Sequence, residues 1–224
     1  MGSDALAKAD KTGVAQSRWK LAYGLNMHKA MCGPVIFVIL SWFNIWTPGS
    51  RTYLTLHGTY GLLWGIKDLI FPDKSFHKPC TFAEVIMVFT FCSVMYWWYP
   101  VSMVLTGGGV TNDAVCHAVT AMFCFGSFLM NCSDCQKTFT LQCQPKKLIT
   151  NGFFKYIRSP NYLGEVIVYA SFPMLVGGPW AWIPNIISCV MFYFNMVNKD
   201  RSMSRYPEFE AWKSSTYMVL PLFL

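Results

Sequence analysis

Long apolar runs alternate with short polar segments over most of the chain. Six of these runs approach the ~20 residues that an α-helix needs to cross a hydrocarbon core. They are predicted at about 30–46, 53–71, 82–105 and 114–130, with a fifth starting near Tyr162 and a sixth ending near Asn198. The pattern therefore predicts an all-α, polytopic integral membrane protein with about six transmembrane helices.

The distribution of lysine and arginine orients these predicted helices. With a cytosolic N-terminus, the cytosolic segments are 1–29, 72–80, 131–161 and 199–224. Nearly every lysine and arginine falls within them, and only Arg51 lies in the opposite loops. Because cytosolic loops of membrane proteins carry an excess of positive charge, both termini are predicted to be cytosolic.

The predicted helices divide the chain into three parts. These are a cytosolic N-terminal tail at 1–29, an N-terminal transmembrane region at 30–127 and a C-terminal domain at 128–224. Within the tail, residues 1–17 are small, polar and charged, a composition that predicts disorder. Residues 18–29 interleave Arg18, Lys20 and Lys29 with aromatic side chains, which predicts an amphipathic approach to the membrane surface.

Composition agrees with a membrane protein and argues against other classes. Hydrophobic residues make up 54% and charged residues 13% of the chain, whereas about a quarter of a soluble domain is charged. The net charge of +7 does not indicate nucleic-acid binding, because no basic patch stands clear of an apolar run. The nine cysteines include Cys132-x-x-Cys135, but no second Cys or His pair completes a zinc site. We therefore expect no nucleic-acid partner and no metal.

Asn131 and Asp134 follow the fourth apolar run at a spacing of three residues. If the helix continues through them, the two side chains share one face near its end. Such residues either cap the end of a helix or hydrogen-bond to the ribose or amide of a nucleotide. Both interpretations stay open on spacing alone.

The stretch 148–165 leads a basic segment into an apolar run. Ser159 is a favoured N-cap residue and Pro160 is favoured at the first helical position, so a helix is predicted to begin there. The free N–H groups at a helix N-terminus attract anions, and Arg158 lies directly beside them. This arrangement fits the phosphates of a nucleotide, and it also fits an anionic lipid headgroup.

Glu165 lies inside the apolar run that opens at Tyr162. An ionisable group at membrane depth is costly and usually faces a functional cavity. The alternative is a structural ion pair, with Lys67 or Arg201 as the partner.

Three ordered sequence blocks resemble the steroid 5-alpha-reductase family in its broad sense, over about residues 128–224. The first block is N-x-S-D at 131–134, and the second is GFFKYIR at 152–158 followed by NYLGE at 161–165. The third block starts with K-D-R at 199–201 and closes with L-P-L-F. Composition alone would let this last segment be a solvated amphipathic helix.

The resemblance implies a helical membrane protein that binds NADPH from the cytosolic side, with the endoplasmic reticulum as its location. It implies hydride transfer to a C=C bond conjugated to a carbonyl in a lipid-like substrate. The positions that match cofactor-contacting or pocket-shaping positions are Asn131, Asp134, Arg158, Asn161, Tyr162, Glu165, Asp200 and Arg201, with Arg205, Tyr206 and Lys213 as looser candidates.

The N-terminal half departs from that family. Steroid reductases carry a Glu and a Tyr on early helices that polarise the substrate carbonyl, and no matching pair stands out here. Tyr60 is the candidate proton donor, and a core tyrosine is the alternative interpretation of the same residue. This departure bears on the identity of the substrate rather than on the reductase chemistry.

Two other functions fit parts of the pattern. Membrane methyltransferases of isoprenylated cysteine or phospholipids use S-adenosylmethionine and share R-x-P-x-Y-x-G, which 158–164 matches loosely. Asn161 and Glu165 are instead typical of the reductases. The K-D-R at 199–201 stands where the methyltransferases carry adjacent glutamates. A non-catalytic lipid-binding membrane protein is the third hypothesis, although such a protein would have no need for Asn161 and Glu165 together.

Overall fold

A computed structural model of the chain describes residues 17–219. Most of the predicted disordered tail and the final L-P-L-F lie outside these residues. Two short strands, β1 (Trp19–Lys20) and β2 (Pro79–Cys80), pair antiparallel. The helices are α1 (Leu21–Trp42), α2 (Pro48–Ile70), α3 (Phe82–Thr106), α4 (Asp113–Cys143), α5 (Pro160–Val176), α6 (Ile183–Met203) and the short α7 (Phe209–Ser214), and 3₁₀ turns cover Gly152–Phe154 and Pro179–Trp182.

The helices coincide with the predicted apolar runs, but several of them begin or end at other residues than predicted. Each of the six runs overlaps one of α1–α6, and the regular secondary structure of the described chain is helical apart from the two short strands, which confirms the predicted helical class. α1 begins at Leu21, earlier than predicted, and α4 continues to Cys143, well past its predicted end. The polar residues after the fourth run do not end the helix, because Ser133 and Asp134 remain buried along it. Asn131 and Asp134 therefore belong to one helix.

Within residues 17–219, four helical stretches are long and apolar enough to cross a membrane: α1, α3, α4 and Pro179–Met203. Of the other two long helices, α2 carries charged residues and α5 has only 17 residues. Large apolar side chains cover the outside of the bundle, where Trp42 and Leu105 are 83% and 81% exposed. Soluble monomers rarely expose contiguous apolar surface on this scale. The chain is a helical membrane protein.

The segment 18–29 does not form the predicted amphipathic approach to a membrane surface. Strand β1 pairs with β2, and α1 starts directly after it. Lys29 lies inside α1 and is only 3% exposed. The reason is helical periodicity, since Lys29 shares a face with the buried residues Cys32 and Ile36, and this face packs inside the bundle.

α5 occupies the centre of the bundle and packs against α2, α3, α4 and α6. Its contact with α4 is very close, because glycine lies on both sides. A Cβ atom added to Gly164 would lie 2.5 Å from the Met130 nitrogen and 2.6 Å from the Gly126 oxygen. The two backbones therefore meet without an intervening side chain. This contact brings the polar end of α5 beside the part of α4 that carries Asp134.

The residues after α6 fold back onto the start of α5. Tyr217 forms a parallel bridge with Ile157. The Arg158 amide donates to the Tyr217 carbonyl at 2.8 Å, and the Ser159 amide donates to the Met218 carbonyl at 3.1 Å. Residues 217–219 are thus packed against the start of α5, whereas α7 is a short amphipathic helix that buries Phe209 and Trp212 and exposes its polar side chains.

Candidate functional site

A cavity of about 390 Å³ lies between the helices and is lined from α1 to α6. Its volume falls in the range of roughly 300–1,000 Å³ that is usual for small-molecule sites. Aromatic and aliphatic side chains form most of the wall, and charged and amide side chains converge on the remainder. This combination is typical of a ligand site, with apolar walls for affinity and a few polar groups for orientation.

Four residues that the sequence predicted as cofactor contacts line this cavity together. Asp134 comes from α4, and Asn161, Tyr162 and Glu165 come from the first turns of α5. Their meeting follows from the glycine contact between the two helices. Asp134 and Asn161 are nearly buried, at 7% and 8% exposure.

Asp134 is the centre of an ion-pair cluster at the cavity wall. Its carboxylate pairs with the Lys67 ammonium from α2 and, at 3.3 Å, with the Lys137 ammonium from α4. Lys199 from α6 also lines the cavity and donates to the Arg158 carbonyl at 3.3 Å. The lining as a whole has four lysines and four carboxylates, so positive charge is in excess only in this part of the wall, which suits an anionic ligand group.

Two acceptors on α5 have no partner within the described part of the chain. The Asn161 Oδ1 atom is buried and receives no hydrogen bond. Glu165 is half-buried, and none of the hydrogen bonds or ion pairs among residues 17–219 involves its carboxylate. Buried acceptors are almost always satisfied, so the Asn161 oxygen is suited to an N–H or O–H donor of a ligand, and the half-buried Glu165 carboxylate is an accessible acceptor in the same cavity. The alternative interpretation of Glu165, a structural ion pair with Lys67 or Arg201, does not hold in the described chain, where Lys67 pairs with Asp134 and neither Glu165 nor Arg201 forms an ion pair.

Tyr60 lies just behind the cavity wall in a chain of three phenols. It is fully buried, and its hydroxyl lies 3.0 Å from the Tyr169 hydroxyl. Tyr96 donates to the same Tyr169 oxygen at 2.5 Å. Tyr96 and Tyr169 line the cavity, whereas Tyr60 does not. Tyr60 can therefore reach a ligand only through Tyr169.

Arg158 and Asp200 form a buried joint away from the cavity. Arg158 is 2% exposed, and its Nε donates to Asp200 Oδ2 at 3.2 Å. Its Nη1 donates to the carbonyls of Thr216 at 2.5 Å and Lys213 at 3.2 Å. The guanidinium is thus occupied by protein groups, and neither Arg158 nor Asp200 lines the cavity.

The residues directly before α5 are held by the returning chain. The helix begins at Pro160 as predicted, but the Ser159 side chain makes no capping hydrogen bond and its Oγ has no partner in the described chain. The Arg158 and Ser159 amides donate to the carbonyls of Tyr217 and Met218. Because protein groups also occupy the Arg158 guanidinium, Arg158 adds no free positive charge here, and an anion site at the backbone N–H groups of the first turn stays a prediction.

The remaining predicted site residues lie outside the cavity. Asn131 donates from its amide to the Ser127 carbonyl at 2.8 Å. Arg201, Arg205 and Lys213 are exposed, and Arg205 donates to the Tyr206 hydroxyl at 3.2 Å. None of these residues lines the cavity. The structure therefore brings together four of the predicted cofactor contacts and separates them from the rest.

Sequence reasoning missed several side chains that line the cavity, among them Lys29, Tyr96 and Tyr169. A signal for Tyr169 was available, since it follows Glu165 by four residues and so shares its helix face. Lys29 and Tyr96 lie on α1 and α3, and no local pattern relates these two residues to Glu165. Only the packing of the helices places all three together.

A family model described as "Protein of unknown function (DUF1295)" matches residues 37–216. The match covers most of the chain. The chain belongs to the DUF1295 family. The region matched by DUF1295 includes the ion-pair cluster, the first turns of α5 and the three phenols, whereas Lys29 precedes it. No curated protein matches the chain.

Proposed function

We propose that this protein is a membrane-embedded, NADPH-dependent reductase of a C=C bond conjugated to a carbonyl in a lipid substrate. The observation that supports this proposal is the convergence of Asp134, Asn161, Tyr162 and Glu165 on one largely apolar cavity. These are the residues whose sequence context resembles the cofactor-binding blocks of steroid 5-alpha-reductases. The apolar remainder of the cavity suits a lipid.

The lining residues fit the chemical groups of NADPH. Lys67, Lys137 and Lys199 supply ammonium groups for phosphates. The unpartnered oxygens of Asn161 and Glu165 accept hydrogen bonds, which suits the carboxamide N–H groups and ribose hydroxyls. When bound, NADPH supplies a hydride. The protein side chains hold the ring in place, and the apolar wall keeps water away from the reacting atoms.

The phenol chain gives the protein a route for the proton that this reduction consumes. The Tyr169 hydroxyl lines the cavity and can donate to the substrate carbon next to the carbonyl. Tyr60 restores that proton across the 3.0 Å contact between the two oxygens. Tyr60 is then a proton relay behind the donor rather than the donor that its sequence position suggested.

We extend the proposal to the membrane arrangement. α2 and α5 also cross the membrane, α5 packed among the other helices and α2 with apolar side chains such as Leu62 and Leu69 facing lipid, so the chain has six spans with both termini in the cytosol. The proposed location is the endoplasmic reticulum. Glycosylation-acceptor tags inserted after α1 and after α5 test the topology, since both loops are expected on the lumenal side, and co-localisation with a marker of that membrane tests the location.

The experiment that tests the function is a thermal-shift titration of the detergent-purified protein with NADPH, NADH and S-adenosylmethionine. A ligand that binds only the folded state adds about 2.7 kcal/mol of stability at a hundredfold excess over Kd. We expect NADPH to raise Tm in the wild type and not in Glu165→Gln. The matched control is Glu210→Gln, an exposed carboxylate on α7 outside the cavity, which should respond like the wild type.

Two results would contradict the proposal. Stabilisation by S-adenosylmethionine alone would support the methyltransferase instead. A monodisperse protein whose Tm responds to none of the three ligands would support the non-catalytic lipid-binding function. The reaction itself is tested by adding a lipid enone and measuring the consumption of NADPH. Mass spectrometry should then find a product that is two hydrogens heavier than the enone.

A further inference from the structure

Lys29 is a buried amine without a partner at the cavity wall. The residue is 3% exposed and lines the cavity. Its Nζ makes no hydrogen bond, and none of the ion pairs among residues 17–219 involves it. A buried charge that is not paired destabilises a fold by several kcal/mol. Packing alone would therefore favour an apolar residue at this position.

Three aromatic rings surround the Lys29 ammonium. Its Nζ lies 4.0 Å from the ring centre of Tyr96, 4.3 Å from that of Tyr60 and 5.4 Å from that of Trp64. The negative faces of such rings stabilise a cation. They offer no lone pair in the direction of its N–H bonds, so those donors remain available to a ligand.

The backbone around Lys29 is held in place. Gly61 of α2 approaches so closely that an added Cβ atom would lie 2.3 Å from the Lys29 oxygen. Tyr60 and Trp64, which face the ammonium, flank this glycine on α2. The cage is therefore assembled at a close backbone contact of α1 and α2, and its side chains come from helices rather than from a flexible loop.

Among the charged side chains that line the cavity, Lys29 and Glu165 make neither an ion pair nor a hydrogen bond within residues 17–219. Lys67 and Lys137 each pair with Asp134, and Asp68 pairs with His77 at 2.8 Å. Lys199 and Asp73 have no ion pair but form hydrogen bonds with the backbone. Lys29 and Glu165 have no such partner in the described chain. The lysines around Asp134 form the part of the wall that suits an anion. At Lys29, the Glu165 carboxylate disfavours a second carboxylate but not a neutral carbonyl oxygen.

We propose that Lys29 binds the carbonyl oxygen of the lipid substrate, and that this substrate is a conjugated aldehyde or ketone whose oxygen-bearing end enters the cavity first. The inference rests on the proposed function and names its substrate class. The faces of Tyr96 and Trp64 suit a planar conjugated group. A lipid carboxylate is disfavoured by Glu165.

Lys29 would stabilise the negative charge that develops on the carbonyl oxygen during the reduction. Hydride adds to the carbon distant from the carbonyl, the C=C electron pair moves to the bond beside the carbonyl carbon, and the carbonyl pair moves onto oxygen. The resulting enolate carries its negative charge next to the Lys29 ammonium. The Tyr169 phenol then protonates the carbon beside the carbonyl and is restored from water through its neighbours. Since the charge on oxygen grows towards the transition state, the ammonium stabilises that state more than the substrate.

The test is spectroscopic and needs no cofactor. 4-(Dimethylamino)cinnamaldehyde is a planar conjugated aldehyde whose absorption band moves to longer wavelength when its carbonyl oxygen is polarised. We expect a saturable red shift with the detergent-purified wild type, and loss of that shift in Lys29→Met. The matched control is Lys155→Met, an exposed lysine whose ammonium lies over Tyr156, and this variant should keep the shift.

Folding and stability give a second readout. Lys29→Met removes an unpaired buried charge, so its Tm should rise above that of the wild type, and a lysine with a structural role would give the opposite result. Lys29→Gln keeps an N–H donor without the charge and should give a smaller red shift than the wild type. Both variants should elute as the wild type does in size-exclusion chromatography.

The outcomes separate this inference from the proposed function. A red shift that persists in Lys29→Met overturns the inference, as does a Lys29-dependent stabilisation by palmitate without any shift of the aldehyde. If NADPH raises the wild-type Tm while the aldehyde band stays unmoved, only the role of Lys29 fails. If the red shift depends on Lys29 while NADPH does not bind, only the proposed cofactor fails.

Discussion

Arg158 Nε donates to Asp200 Oδ2 at 3.2 Å in the joint between the start of α5 and the end of α6. Both residues resemble cofactor contacts in their sequence blocks, but the fold uses them to hold two helices and the returning C-terminal segment together. The same arginine also donates to two carbonyls of that segment. Its role in this structure is therefore to close the fold beside the cavity.

Removal of either partner of this joint is expected to destabilise the protein. Arg158→Ala leaves the Asp200 carboxylate buried and unpaired, which typically costs about 3–5 kcal/mol. Asp200→Ala should cost a similar amount, and the double variant should cost less than the sum because the two residues interact directly. Thermal unfolding of the detergent-purified protein measures the change. Arg201→Ala is the control, since Arg201 is the exposed neighbour of Asp200.

Arg158→Lys separates the joint from cofactor binding. Lysine cannot reproduce the planar fork of hydrogen bonds, so the Tm of the free protein should fall. The increase in Tm on adding NADPH should nevertheless remain, because Arg158 does not line the cavity. Loss of that increase in a folded Arg158→Lys variant would instead support the cofactor contact that the sequence resemblance implies.

Gly164→Ala is expected to disturb the site through the backbone. The added Cβ atom would lie 2.5 Å from the Met130 nitrogen, so α5 must move away from α4 and carry Asn161 and Glu165 with it. Strain of this kind typically costs about 1–3 kcal/mol, and the Tm increase with NADPH should shrink. Gly65→Ala is the control. Nothing lies within 4 Å of its added atom, so it should raise stability by about 0.5–1 kcal/mol through better helix propensity.

Asn161→Leu is expected to separate stability from binding. The substitution removes a buried oxygen that has no hydrogen-bond partner, so the free protein should melt at the same or a higher temperature. The Tm increase with NADPH should be lost, because the same oxygen is the proposed acceptor for a cofactor donor. Asn131→Leu provides the comparison, since Asn131 lies on the neighbouring helix outside the cavity. A normal response to NADPH in Asn161→Leu would remove this residue from the proposed site.

Substitutions in the phenol chain are expected to act on turnover in a graded way. Tyr169→Phe removes the hydroxyl that lines the cavity and should lower kcat by about 10²–10⁴-fold, the usual contribution of a positioned proton donor. Tyr60→Phe removes only the relay behind it and should have a smaller effect. NADPH should stabilise both variants as it does the wild type. Equal losses of kcat in the two variants would contradict this order of proton transfer.

The helices could be predicted from the sequence, but their ends could not. Apolar runs of about 20 residues specify helices because backbone groups in a bilayer must be hydrogen-bonded within the segment. The end of α4 depends instead on packing. Polar residues around Asp134 continue the helix because α5 and Lys67 of α2 lie against them, and these partners are distant in sequence.

The candidate site could be predicted in part for the same reason. Asn161 and Glu165 are recognisable because they interrupt an apolar helix, and an ionisable group there signals a cavity. Arg158 carries an equally suggestive local pattern, but its partners come from α6 and the residues after α7. Local pattern alone does not distinguish a guanidinium that binds a ligand from one that closes a joint.

The sequence by itself determined the membrane class, the helical segments and the polar residues of α5, since each of these depends on neighbours a few positions away. Only the tertiary structure decided which of the polar residues share the cavity. The glycine contact of Gly126 with Gly164 joins Asp134 to Glu165, and the contact of Gly61 with Lys29 places an ammonium among aromatic rings. Close helix approach depends on a glycine that meets the backbone of a residue far away in the chain, and only the packing of the helices determines which residues meet.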